Sequence, residues 1–323
     1  MGIKNMKQFF RLLSYPGLIG ISWFILASCA GPPPEIPPGP REVQIGHDNY
    51  IRNVTFHIPK KLRKRNRSLV LCLHDGGESP ESMARMTRRN FNKLAEKNNF
   101  IVGYPEALNE YWNDAREDSV SLSHYDEIDD VGFIEKVMDY AIDSFKIDID
   151  KIYIAGFSEG GLMAFRLACE IPQKIHGFAM VAATMPLDQI VECTPDTTAS
   201  FIMINGTRDP VLPYEGGQLI IEDQEMGSML AAEEAMNYWL EENECTDRSS
   251  TKEMANRDTF DETRSERVLY DDCKNKNKLM LIRVVNGGHS WPGGRQYQNE
   301  KSVGKVAQDF DAADVIWKFF KTL

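Results

Sequence analysis

Three separated stretches carry the residue types of nucleophilic acyl transfer: Gly156-Phe157-Ser158-Glu159-Gly160, Asn205-Gly206-Thr207-Arg208-Asp209-Pro210 and Gly287-Gly288-His289-Ser290-Trp291-Pro292. A serine hydroxyl is a weak nucleophile until an imidazole takes its proton and a carboxylate fixes the tautomer of that imidazole. Ser158, Asp209 and His289 supply the three groups in the order Ser, Asp, His, one of the chain orders in which such triads occur. Ser158 sits in a Gly-x-Ser-x-Gly turn between an apolar run at 151–155 and a helical stretch at 162–169. The small flanking residues let the backbone double back there. His74-Asp75-Gly76-Gly77, after Leu73, is a turn that aims backbone N–H groups at a developing oxyanion. The expected donors are the N–H of Gly76 and that of Glu159, the residue after the nucleophile.

Such groups need a rigid frame. Apolar runs at 53–58, 69–73, 100–104, 151–155, 177–182, 200–204 and 279–285 alternate with stretches of helical period, which predicts βαβ units around a mostly parallel central sheet flanked by helices. Ile134, Val137, Met138, Ala141, Ile142 and Phe145 recur at i, i+3, i+4 and form the core face of one helix. Val303, Val306, Phe310, Ala313, Trp317 and Phe320 predict one closing helix with a single apolar stripe. Asp209 and His289 both follow apolar runs, and open α/β sheets gather functional groups at the carboxyl ends of their strands.

The amino-terminal region predicts export. Lys4, Lys7 and Arg11 precede an apolar stretch at 18–27 that ends in Leu26-Ala27-Ser28-Cys29, the pattern of a signal peptide over 1–28. The run falls short of the about 20 apolar residues of a membrane span. Leu-Ala-Ser-Cys also resembles the bacterial lipobox, which makes Cys29 the expected lipidation site and the membrane an expected partner. Residues 29–40, with Pro32-Pro33-Pro34 and Pro37-Pro38-Gly39-Pro40, read as a polyproline spacer, and 41–323 as a single catalytic domain. A net charge of −11 argues against nucleic acid as a partner. Cys245 and Cys273 flank a polar excursion that a disulfide would restrain, Cys169 and Cys193 form a second candidate pair, and Cys72 lies in the apolar run 69–73 as a buried thiol. No metal-ligand spacing appears, and serine-based acyl transfer requires no metal or organic cofactor.

Together these motifs resemble the polyhydroxybutyrate depolymerase-like and feruloyl esterase-like group of α/β-hydrolases, of the carbohydrate esterase family 1 type. The likeness extends to Tyr50 through Pro59, Asp129-Asp130-Val131-Gly132-Phe133, Asp209 through Gly217 and the closing Trp317-Lys318-Phe319-Phe320. The resemblance implies an α/β-hydrolase fold and a serine esterase with Ser158 as nucleophile, His289 as base and Asp209 as acid. It also implies pocket positions at Trp112, Asn113 and Tyr214, with Trp291 beside the histidine as a further substrate contact. The expected substrates are feruloyl or acetyl esters of plant polysaccharide. Hydroxybutyrate oligomers are the runner-up, and a lipid-anchored carbohydrate-binding protein without turnover is the alternative of another class. One departure stands out: relatives of this group usually carry His-Gly where this chain has His74-Asp75, and a carboxylate facing the site would oppose negative charge. An acidic loop at 104–128 is expected above the sheet as a lid or substrate wall.

Overall fold

The computed structural model describes residues 36–116, 123, 126–193, 198–221, 224–246 and 250–323. The expected signal peptide, Cys29, most of the spacer, Glu117, Asp118 and His124 lie outside the described residues. The strands are β1 (Gly39–His47), β2 (Tyr50–Ile58), β3 (Arg67–Leu73), β4 (Phe100–Pro105), β5 (Ile147–Phe157), β6 (Gly177–Val181), β7 (Phe201–Gly206), β8 (Gly217–Ile221), β9 (Gln224–Met229), β10 (Ser250–Glu253), β11 (Arg264–Tyr270) and β12 (Leu279–Val285). Ten of them form one sheet in the order β1-β2-β4-β3-β5-β6-β7-β12-β11-β10, and β8 pairs with β9 in a separate hairpin. From β4 through β12 neighbouring strands run parallel, and antiparallel pairs extend the sheet at both ends.

The helices are α1 (Pro80–Met86), α2 (Asn90–Lys97), α3 (Asp130–Phe145), α4 (Glu159–Glu170), α5 (Leu187–Glu192), α6 (Ala232–Glu242), α7 (Glu300–Val303) and α8 (Ala312–Phe320). Strand β3 shows how they are used. Leu69, Leu71 and Leu73 face one core with Ile134, Val137 and Met138 of α3 and Leu162 of α4. Val70 and Cys72 face the other, with Met83 of α1, Phe91 of α2 and Ile316 of α8. Strands covered on both faces need apolar residues at every position, which is why 69–73 reads as an unbroken apolar run.

Three features differ from the sequence expectation. Gly39 and Pro40, assigned to the spacer, begin β1; β1 is an outer strand, where a residue without an N–H is tolerated. The closing stripe is not one helix: α7 ends at Gly304, whose φ is +74°, and Asp311 then caps α8 by accepting from Ala313 N and Asp314 N. The polar excursion between Cys245 and Cys273 is structured, because β10 and β11 continue the sheet beyond β12. Its ends are joined by the Cys245–Cys273 disulfide, and Cys169 joins Cys193. Cys72 is a buried free thiol.

Candidate active site

Strand β5 delivers the chain to Ser158, which takes φ +53° and ψ −121° before α4 begins. That backbone is strained for a residue with a side chain, and it is held by Ser158 N donating to Val181 O at 2.9 Å. A side chain at Gly156 would collide with the carbonyl of Gly160, and one at Gly160 with the carbonyl of Leu73. The Gly-x-Ser-x-Gly spacing is therefore a packing requirement of a helix that starts directly against β3 and β5.

Asp209 and His289 arrive from the neighbouring strand ends, β7 and β12. Asp209 Oδ1 accepts from the N–H groups of Val211 and Leu212, each at 2.8 Å. Its Oδ2 lies 2.8 Å from His289 Nδ1, and His289 Nε2 lies 2.8 Å from Ser158 Oγ. All three side chains are buried. Burial pulls the His289 imidazolium down, but the Asp209 carboxylate, its hydrogen bond and the charge of Asp75 outweigh it, so the ring's pKa is raised. The arrangement fits a Ser-His-Asp triad, the geometry that moves a serine proton to an imidazole as a nucleophile attacks.

The N–H groups of Gly76 and Glu159, the expected oxyanion donors, both face the Asp75 carboxylate. Gly76 N donates to Asp75 Oδ1 at 2.8 Å, and Glu159 N lies 3.4 Å from the same oxygen. The two N–H groups therefore share an internal acceptor, because the short Asp side chain folds back onto the turn it belongs to. Burial pushes the Asp75 carboxyl up, against the opposing pull of His289, Ser158 and the two N–H groups. Behind the turn, Glu159 Oε1 accepts from Trp112 N at 3.1 Å. Arg116 pairs with Asp114 at 2.8 Å and approaches Glu159 at 3.8 Å. Burial and the Asp114 carboxylate push Glu159 up, with Arg116 opposing and Asp75 adding. Sequence reasoning missed Arg116, although a lone cation within an acidic stretch was the available signal.

His74 carries the turn. Its Nε2 accepts from Ala107 N at 3.0 Å, so Nδ1 bears the proton and donates to Asp75 O at 2.8 Å. Burial lowers its pKa from 6.5 to about 4. The folded protein thus holds His74 neutral while the unfolded chain binds a proton below pH 6.5, so the stability it contributes is complete above that pH. It is lost as pH falls toward 4, by about 3 kcal/mol in all. Denaturant unfolding at pH 7 and pH 4.5 is expected to show the wild type losing about 2 kcal/mol more than a His74→Gln variant, which has no titrating ring.

The structure places the four expected substrate contacts among internal hydrogen bonds and packing. Trp112 is fully buried and donates through Nε1 to His74 O at 2.9 Å. Asn113 binds Asp130 through its N–H and Ile128 O through Nδ2. Tyr214 donates to Glu233 at 2.9 Å, and Trp291 is buried against Phe91 and Phe157. None of them lines the cleft beside the site. That cleft, about 320 Å³, is lined by Asp75 together with Met83, Met86, Phe157, Arg295 and Tyr297. Within the described part of the acidic loop Trp112, Asp114 and Arg116 are buried, while Asn109, Glu110 and Tyr111 are exposed.

A comparison of the sequence with known families matches residues 56–226 to the phospholipase/carboxylesterase family. NocK of Nocardia uniformis subsp. tsuyamanensis, a protein assigned to the esterases, is 28% identical over 267 residues, 78% of this chain and 74% of its own length. Feruloyl esterase B of Piromyces equi is 26% identical over 172 residues, 52% of this chain, which spans 30% of that larger protein. The solved acetyl xylan esterase from Aspergillus awamori superposes with a TM-score of 0.58 at 13% identity, covering 88% of this chain and 100% of that one, and shares the α/β-hydrolase fold. With a hydrogen-bonded serine, histidine and aspartate at the strand ends of that fold, the chain belongs to the phospholipase/carboxylesterase family of carboxylic ester hydrolases.

Proposed function

We propose that this protein is an exported, lipid-anchored serine esterase that cleaves feruloyl or acetyl esters of plant polysaccharide through an acyl-enzyme on Ser158. The observation that carries the reading is the continuous chain Asp209 Oδ2, His289 Nδ1, His289 Nε2, Ser158 Oγ, with 2.8 Å at both contacts. In the first step Ser158 Oγ attacks the ester carbonyl and its proton passes to His289 Nε2. The imidazolium, held by Asp209, then protonates the departing alcohol, and water repeats the sequence on the acyl-enzyme. The N–H groups of Gly76 and Glu159 are the donors for the tetrahedral oxyanion. The substrate class rests on the feruloyl esterase relative and on the motifs shared with that group. Two disulfides suit an oxidising compartment, and the anchor at Cys29 rests on Leu26-Ala27-Ser28-Cys29 alone.

Two other readings make different predictions. Hydroxybutyrate oligomers share the ester chemistry, and a carbohydrate-binding protein without turnover is favoured by the carboxylate of Asp75 at the oxyanion donors. A panel of methyl ferulate, acetylated xylan, p-nitrophenyl butyrate and hydroxybutyrate oligomers, run on the wild type and Ser158→Ala, separates them. The highest kcat/KM is expected on methyl ferulate or acetylated xylan. Preference for hydroxybutyrate oligomers would contradict the substrate class, and absence of Ser158-dependent turnover would contradict the esterase.

A further inference from the structure

In the neutral ring His289 Nδ1–H donates to Asp209 Oδ2, so Nε2 is the acceptor that faces Ser158 Oγ, with 2.8 Å at both contacts. Asp75 Oδ1 accepts from Gly76 N at 2.8 Å and lies 3.4 Å from Glu159 N. It therefore sits where a tetrahedral intermediate would place its own oxyanion, and carries the charge that such an intermediate would bring.

We infer that Asp75 is a resident plug of the oxyanion position, an internal mimic of the transition-state oxygen that must leave Gly76 and Glu159 before an ester carbonyl can enter. Its way out is the adjoining cleft, where Asp75 is one wall and Arg85 and Arg295 are others; a carboxylate turned outward gains cationic surroundings there. Glu78 and Tyr297 face the same space. The turn itself does not depend on the plug. His74 fixes the Asp75 carbonyl, a bond that the Asp75 side chain does not make. Glycine at this position would give the His-Gly pair usual in the group this chain resembles, with both N–H groups open.

The inference rests on the esterase reading and is tested apart from it. Asp75→Gly, Asp75→Asn and the wild type are compared in two assays: kcat/KM for p-nitrophenyl butyrate, and the second-order rate of inactivation by an alkyl fluorophosphonate, whose phosphoryl oxygen needs the same two donors. One oxyanion donor is commonly worth about 10²- to 10³-fold in turnover. Asp75→Gly is expected to raise both rates at least tenfold. Asp75→Asn, which keeps the shape but loses the charge, is expected to raise them several-fold, and it decides the matter if the glycine variant does not fold. Unchanged or reduced rates in a variant that unfolds at the wild-type temperature would overturn the plug. Ser158→Ala separates the two claims: if it retains wild-type turnover the esterase reading falls, whereas an inactive Ser158→Ala with no gain from Asp75→Gly or Asp75→Asn sinks only the plug.

Discussion

Ser158→Ala is expected to reduce kcat by about 10⁴- to 10⁶-fold on any ester the wild type hydrolyses, with KM nearly unchanged. The hydroxyl is the only group of the triad that bonds to the substrate, and the nearby alternatives are occupied or buried: Ser290 Oγ donates to backbone carbonyls, and Cys72 is fully buried in the apolar core behind the site, where burial holds its thiol protonated. Removing one oxygen from a buried, strained turn leaves the fold in place, because the turn is pinned by the backbone bond to Val181. An unfolding temperature like that of the wild type, measured alongside turnover, shows that the loss is chemical.

Asp209→Asn is expected to cost about 10⁴-fold in kcat, and the structure says why an amide cannot substitute. The Oδ1 side of Asp209 is fixed by two N–H donors, Val211 and Leu212, so the asparagine oxygen must occupy that position and its NH₂ must face His289 Nδ1. Nδ1 is then forced to be the acceptor, the ring proton moves to Nε2, and Nε2 can no longer take the proton of Ser158. Loss of the Asp209 charge also removes the main influence that raises His289. The acid limb of the residual kcat–pH profile is therefore expected to lie at lower pH than in the wild type. A variant retaining more than a tenth of wild-type kcat would show that Asp209 does not set the tautomer.

The central strands and the triad were legible because each is written in local signals. Runs such as 69–73 and 201–204 are apolar at every position since β3 and β7 are covered on both faces, and Ser158, Asp209 and His289 each follow such a run. The outer strands β1, β10 and β11 were not legible. β1 and β11 mix polar and apolar residues, β10 is Ser-Thr-Lys-Glu with 251–253 exposed, and β1 begins with a Gly-Pro pair that reads as spacer. Side-chain direction was beyond the sequence as well. Trp112, Tyr214 and Trp291 have the composition of pocket walls, yet all three side chains are buried. The departure at Asp75 was visible as a residue type, but its seat against Gly76 and Glu159 depends on a rotamer that only the packed turn defines.

The most direct test of the account is where a covalent probe lands. Wild-type protein and Asp75→Gly, incubated to completion with an alkyl fluorophosphonate and digested, are expected to carry one phosphonyl group on the peptide containing Ser158. Ser158→Ala and heat-unfolded protein are expected to carry none. An adduct on any other residue, or none on Ser158 in either folded protein, would contradict the claim that Ser158, His289 and Asp209 act as one nucleophilic unit.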